Sequence, residues 1–306
     1  MSKGKAETHP ASEGFTVDSY NTEFCNVDWV RIQDENGVEA MGKPIGNYVT
    51  IETNILENGQ RGNTVAIAKT VSEYLTKLMG ISDNDSVLVV GVGNRKVISD
   101  SLGVHVAEKV HATRHIADHA IEKFGVKLRP VSVITPGVMG VTGISTAEII
   151  RSICGEVKPD LVILIDALAA GKTVRLYSTI QMADTGLTPS AGLKGNVPRQ
   201  TINQEFLGIP VVSIGVPTVI NAATIIADIM NSFMQNHEDA DNDSDMADML
   251  ENIQHLADEM FASSSSFVST KEIDSVVHFA AQIISSAINM ALLQEDLAEM
   301  AHNIYL

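Results

Sequence analysis

The apolar positions fall into short runs alternating with stretches of helical spacing, and that alternation predicts the fold class. "SVLVVGVGN" (86–94) is an aliphatic run ending in a glycine turn, followed by helical spacing from about Ser101 to Phe124. "RPVSVITPGVMG" repeats the strand and glycine turn, with a helix from about Ser145 to Val157. "PDLVILIDALAA" predicts a third strand, and "GIPVVSIGVPT" (208–218) a fourth, followed by a helix through about Phe233. Upstream, "NYVTIET" (47–53) alternates like a strand, and "TVAIAKTVSEYLTKLMG" is an amphipathic helix ending at a glycine C-cap, Gly80. The expected class is α/β: a mostly parallel sheet flanked by helices on both faces, with a helical C-terminal extension.

The two ends of the chain break this rhythm. Residues 1 to about 24 are polar and unpatterned, and are expected to form a flexible leader. The segment 236–270 is acidic, then serine-rich, and is expected to be a mobile insertion, with helical spacing only from about Asp248 to Phe261. Helical spacing returns from Lys271 to Met300. Its most apolar part, Val276 to Leu293, is interrupted by His278, Gln282, Ser285, Ser286 and Asn289, which suits an amphipathic helix rather than a membrane span. A single domain over 24–306 is the expected organisation.

Composition narrows the partners. A net charge of −17 repels phosphate backbones and anionic membranes at long range, and aromatics at 5% leave little for stacking on bases. Direct nucleic-acid and membrane partners are therefore not expected. Two cysteines, Cys25 and Cys154, cannot form a disulfide framework, and no stretch of signal-peptide character opens the chain, so a cytoplasmic protein is expected.

Open parallel sheets bind ligands beyond the carboxyl ends of their strands. Three landmarks fall there: "GVGNRKVISD", "TPGVMGVTG" and "IDALAA". Asp166 stands where an apolar strand should end, and Asp100 follows a glycine turn. Two carboxyls brought together cannot both ionise easily. The ionised one can take a proton from water while the protonated one hydrogen-bonds a peptide carbonyl, which is general acid–base hydrolysis. By spacing alone the commoner uses remain open: Asp100 as a helix cap and Asp166 as an ion-pair partner.

The run from Ser86 to about Ala227 resembles the spore germination protease family, endopeptidases that degrade small acid-soluble spore proteins. The matching residues are "LVVGVGN", "ISDSLGVHV", "TRHI", "PVSVITPGVMGVTGISTAEII", "KPDLVILIDALAAG", "STIQMADTGLTPSAGLKGN" and "LGIPVVSIGVPTVI". The resemblance implies an atypical aspartic peptidase with catalytic Asp100 and Asp166 and a fold similar to hydrogenase maturation endopeptidases. It also implies a zymogen that removes its own leader, residues 1–23, by cutting between Glu23 and Phe24 in "NTEFC", after an acidic residue and before a hydrophobic one. Cys25 replaces the family's usual alanine there. A homotetramer in the spore core, with no cofactor and no metal, is likewise implied. Substrate-groove candidates are Asn94, Thr135 and Gly137 in the strand-end loops, with Asp184 and Thr185 of "ADTGL".

Other motifs are weaker. Asp184-Thr185-Gly186 is the triplet of pepsin-like proteases, which are all-β and need two copies. "GVGNRK" starts like a dinucleotide fingerprint but has Lys96 where the third glycine belongs. His111, His115 and His119 share an i, i+4, i+8 stripe without a companion hydrolase motif, and "DADNDSD" lacks the glycine and glutamate of a calcium loop. Cys154 sits in an apolar helical pattern and is expected to be buried and inert. Two further functions stay open at this level: a small-ligand or nucleotide enzyme using the glycine turns, and a non-catalytic acidic protein that sequesters basic partners.

Overall fold

The computed structural model describes residues 6–9, 14–54, 63–117, 120, 127–189, 200–235 and 266–293. Its centre is the parallel unit read from the sequence. Strands β5 (Val87–Gly91), β6 (Val131–Ile134), β7 (Leu161–Ala170) and β9 (Val211–Asn221) pair in the order β6-β5-β7-β9, all parallel. Leu161 to Ile165 are fully buried, as expected of a strand covered on both faces.

The rest of the sheet is antiparallel, which corrects the expectation of a mostly parallel one. β1 (Ala6–His9), β2 (Phe15–Asn21), β3 (Asn26–Ile32), β4 (Gly46–Glu52) and β8 (Thr179–Ala183) extend it in the order β1-β2-β3-β4-β8-β9, and β10 (Phe267–Val268) pairs with the far end of β9. The physical reason lies in the connections. Short turns join β2 to β3, and only α1 (Glu35–Met41) with its flanking turns joins β3 to β4, so each strand folds straight back on its neighbour. Residues 15–21, expected within a flexible leader, are thus a paired strand, and residues 267–268 of the expected insertion are also paired. The remainder of that insertion, including the acidic run and the helix expected near 248–261, lies outside the described residues.

Helices cover both faces, as expected. On one face α2 (Thr64–Met79), α3 (Leu102–Ala107) and α8 (Ile273–Leu292) close a large core on Val87, Val89, Ile163 and Ile165. On the other, α5 (Thr146–Val157), after the single-turn α4 (Met139–Thr142), packs Ile150 and Cys154 on Leu88, Val90, Val162 and Leu164. The short α6 (Gln204–Leu207) adds Leu207 and Phe206 to that face, and α7 (Ala222–Gln235) follows β9. α2 ends at Gly80 in a left-handed C-cap, as expected. α8 is long and apolar enough to cross a membrane, yet most of it is buried against α2 and α3 as a core helix.

One expected helix is broken. The spacing from Ser101 to Phe124 predicts continuity, but α3 stops at Ala107 and helical residues resume at 114–117. Asn289 of α8 fills the gap: its amide donates to the Lys109 carbonyl (3.0 Å) and its oxygen accepts from the His111 N–H (3.0 Å). His111 therefore stands outside the helix, so the expected histidine stripe does not form, and His119 lies outside the described residues.

Candidate active site

Asp166 does not end its strand. β7 continues to Ala170 because β9 runs on beside it, with Asp166 paired to Gly215. What ends at this level is β5 on the other side, whose last residue, Gly91, pairs with Ile165. Asp166 is therefore set in a rigid strand just beyond the carboxyl end of its neighbour, 6% exposed, on the face that carries Val162 and Leu164.

Asp100 reaches the same place by a tight turn. From β5 the chain passes Gly93 and Asn94, then closes a 3-10 turn over Ile98–Asp100 before α3. The Asn94 N–H donates to the Asp100 carboxylate and to its carbonyl, both at 2.9 Å. Gly93, at φ +122°, has no room for a side chain, since an added Cβ would lie 1.9 Å from the Asp100 carbonyl oxygen. The glycine read as a possible phosphate cradle thus serves to let the Asp100 turn close. Gly103 does the equivalent for α3. A Cβ there would lie 2.3 Å from the carbonyls of both Ile165 and Val92, so the first turn of α3 rests directly on the backbones of β5 and β7. The Val92 N–H donates to the Ile165 carbonyl (2.8 Å), tying the two strand ends together.

The electrostatics differ between the two acids. Burial pushes the Asp166 carboxyl up to about 8, and the charge of Asp100 pushes in the same direction, against a stabilising N–H from Ala167 (2.9 Å). Asp100 is also raised by burial, but the Asn94 N–H favours its ionised form. Asp166 keeps a proton at neutral pH, whereas Asp100, half-buried, is raised in the same direction by burial and opposed by the Asn94 N–H. The arrangement suits one carboxyl as hydrogen-bond donor and the other as base.

The remaining sequence candidates separate cleanly. Asn94 joins the pair through its backbone. Thr135 and Gly137 leave β6 at the same carboxyl edge, on the far side of β5. Asp184 and Thr185 do not join them. β8 runs antiparallel, so it exits past Ala183, which opposes Ser213 and through it Leu164, at the amino edge of the parallel strands. That puts Asp184 about 10 Å back along the strands and two strands across from Asp166. There Asp184 accepts from both the backbone N–H (2.8 Å) and the side-chain amide (2.7 Å) of Asn47, whose oxygen in turn accepts from Trp29 (3.0 Å). It is a clasp between β4 and β8. Glu23 and Phe24 occupy the β2–β3 turn: Glu23 is exposed, Phe24 packs on the core, and Thr22 bonds back to Cys25. Cys154 is buried, and burial raises its thiol to about 11, consistent with an inert residue. Among the described residues no cluster of three His, Cys, Asp or Glu side chains could hold a metal.

Around the acid pair the loops expose Val97 and Ile98 from the Asp100 turn, Met139, Val141 and Ile144 from the loop after β6, and Val174 after β7. Arg95, Lys96 and Lys172 are exposed among them.

A family model described as Germination protease matches residues 1–264. The chain belongs to the germination protease family. A germination protease from Caldanaerobacter subterraneus subsp. tengcongensis is 39% identical over 298 residues, covering 95% of this chain and 91% of that protein. One from Clostridium perfringens (strain ATCC 13124) is 39% identical over 278 residues, covering 88% and 85%, and one from Bacillus licheniformis is 41% identical over 235 residues, covering 75% and 63%. The family resemblance read from the segments between Ser86 and Ala227 therefore extends over nearly the whole chain. Germination proteases are peptidases, so this chain is a hydrolase acting in spore germination.

Proposed function

We propose that this chain is an endopeptidase that cleaves small acid-soluble spore proteins by general acid–base catalysis at Asp100 and Asp166. The observation that carries the proposal is the placing of two carboxyls within electrostatic reach of each other at the carboxyl end of β5, one in a rigid strand and one in a tight turn. Asp100 takes a proton from a water molecule, and the water oxygen attacks the peptide carbonyl carbon. The Asp166 proton passes to the carbonyl oxygen as charge develops there. When the tetrahedral intermediate collapses, the C–N bond breaks, Asp100 returns its proton to the departing amine, and Asp166 recovers its own. An open parallel unit with its chemistry beyond the strand ends also suits the implied likeness to hydrogenase maturation endopeptidases.

Cleavage after an acidic and before a hydrophobic residue is supported by the turn that carries Asp100. "RKVIS" offers an exposed cation, Lys96, and exposed apolar side chains, Val97 and Ile98, directly before the base, while Arg95 beside it is ion-paired with Glu108. On a chain of net charge −17, a cation at the mouth gives an acidic side chain a local attraction. Self-removal of residues 1–23 is supported by topology. β1 and β2 lie at the sheet edge, so a cut before Phe24 strips an outer hairpin partner and leaves β3 paired to β4. The spore core and a homo-oligomer complete the reading.

The test is to incubate the purified chain at mildly acidic and at neutral pH and identify new N-termini by mass spectrometry. A terminus at Phe24, absent from Asp100→Asn and Asp166→Asn, is expected. Undiminished self-cleavage in both variants would refute the mechanism, and termini elsewhere would refute the specificity.

A further inference from the structure

Register along β9 is interrupted beside the acid pair. Leu168 of β7 opposes Pro217, and Ala169 opposes Val219, so Thr218 is an extra residue on β9 with no partner on β7. This is a β-bulge, and Pro217 marks it, because proline has no N–H for the ladder and is confined in sheets to edges and bulges. The Pro217 carbonyl is used instead by the Tyr177 N–H (3.0 Å). Thr218 is fully buried, and its hydroxyl donates to the Ser99 carbonyl at 2.6 Å, across 119 residues of sequence.

Ser99 precedes Asp100 in the 3-10 turn, whose other polar ties, from Asn94, Val97 and Ser101, are local. The same strand, three residues earlier, pairs Gly215 with Asp166. β9 therefore touches both acids' supports: it pairs with one acid's own residue and grips the turn of the other. We infer that Thr218 is a positioning residue, whose bulge-directed hydroxyl sets the separation of the two carboxyl groups. It is fully buried, and its hydroxyl bonds the Ser99 carbonyl rather than either carboxyl.

The inference rests on the catalytic reading for its consequence in rate but not for its geometry, so a measurement independent of activity comes first. Side-chain carboxyl titrations of 13C-aspartate-labelled protein are followed by NMR in the unaltered chain and in Thr218→Val, Thr218→Ala and Thr218→Ser. Asp100→Asn and Asp166→Asn supply the assignments. Asp100 is the charge that acts on Asp166, and the N–H groups of Asn94 and Ala167 are the dipoles on the pair. Loss of the hydroxyl should let the Asp100 turn drift and move the Asp166 midpoint down by about half a pH unit or more, with Thr218→Ser close to the unaltered chain. In parallel, kcat for a quenched peptide spanning residues 19–28 should fall at least tenfold in Thr218→Val with KM unchanged, and recover in Thr218→Ser. Unshifted titration in both hydroxyl-free variants, or equal impairment by serine, overturns the inference. Cleavage that survives in both Asp→Asn variants, with the titration shift present, overturns the catalytic reading and leaves the positioning intact. Thr218→Ala keeps the comparison available if the valine variant fails to fold.

Discussion

Asparagine at position 166 should stabilise this protein, and more so as pH rises. A carboxyl free in the unfolded chain titrates near 4, whereas the buried Asp166 titrates at about 8. Between those values the folded state holds a proton that the unfolded state has released. Because the folded pKa is the raised one, the contribution is complete below about pH 4 and is lost as pH climbs towards 8. The loss runs at about 1.4 kcal/mol per pH unit, so by pH 7 it amounts to on the order of 4 kcal/mol. That is a large share of the 5–15 kcal/mol typical of a folded domain. Asparagine keeps the shape and a hydrogen-bonding head but does not titrate. Urea unfolding of both proteins at pH 5, 6, 7, 8, 9 and 10, at one protein concentration, gives the stability difference directly. It should grow with pH by roughly the slope above and flatten beyond pH 8, where the folded aspartate has ionised. A difference independent of pH would mean that Asp166 is not held neutral, and the division of labour between the two acids would fall with it.

Peptide cleavage should follow a bell in pH, declining near pH 8 as Asp166 loses its proton and declining on the acid side as Asp100 gains one; initial rates on the 19–28 peptide between pH 4 and 9 check this. Asn47→Ala should lower stability by about 1–3 kcal/mol by orphaning the Trp29 N–H and removing one of the two donors to the Asp184 carboxylate, with kcat unchanged because that clasp lies at the other edge of the sheet. Gly103→Ala forces a Cβ onto two carbonyl oxygens and should abolish cleavage while sharply lowering the thermal midpoint, read by circular dichroism. Lys96→Glu should lower kcat/KM at least tenfold for a substrate with glutamate before the cut and much less for one with glutamine, compared by mass spectrometry.

The parallel unit was legible because β5, β7 and β9 are covered on both faces and therefore read as unbroken aliphatic runs. Of the antiparallel half only β4 was legible, from the alternation in "NYVTIET". In "FTVDSYN" every residue of β2 is only partly buried or exposed, so its two faces differ little and period-two contrast is weak; a sheet edge needs no more than that. The helix expected to run on from Ser101 kept its apolar spacing, but the break comes from Asn289, far away in sequence, bonding both sides of the gap. Spacing placed Asp100 and Asp166 near strand ends but left a cap and an ion pair open, and it was the family resemblance that singled them out as a pair. Asp166 was expected at the end of β7 and stands within it, because β9 extends further than its composition suggested. Thr218 was missed although a signal was present, since a proline inside an apparent central strand announces a bulge. Asp184, read as a substrate-groove candidate, stands instead in the β4–β8 clasp, because nothing in "ADTGL" announces that β8 runs antiparallel.

The division of the sheet has a consequence for how the molecule comes into being. The hairpin neighbours β2, β3 and β4 can find one another early, since little chain must be closed to bring them together. The two acids can meet only after β5 has docked on β7, β7 on β9, and α3 has settled on their backbones, all associations between distant stretches of chain. A growing or half-collapsed molecule therefore carries its aspartates apart and in water, where each ionises on its own. On the proposed mechanism, cutting power arrives only with that long-range docking, and newly made chains pass through folding without the means to cut one another.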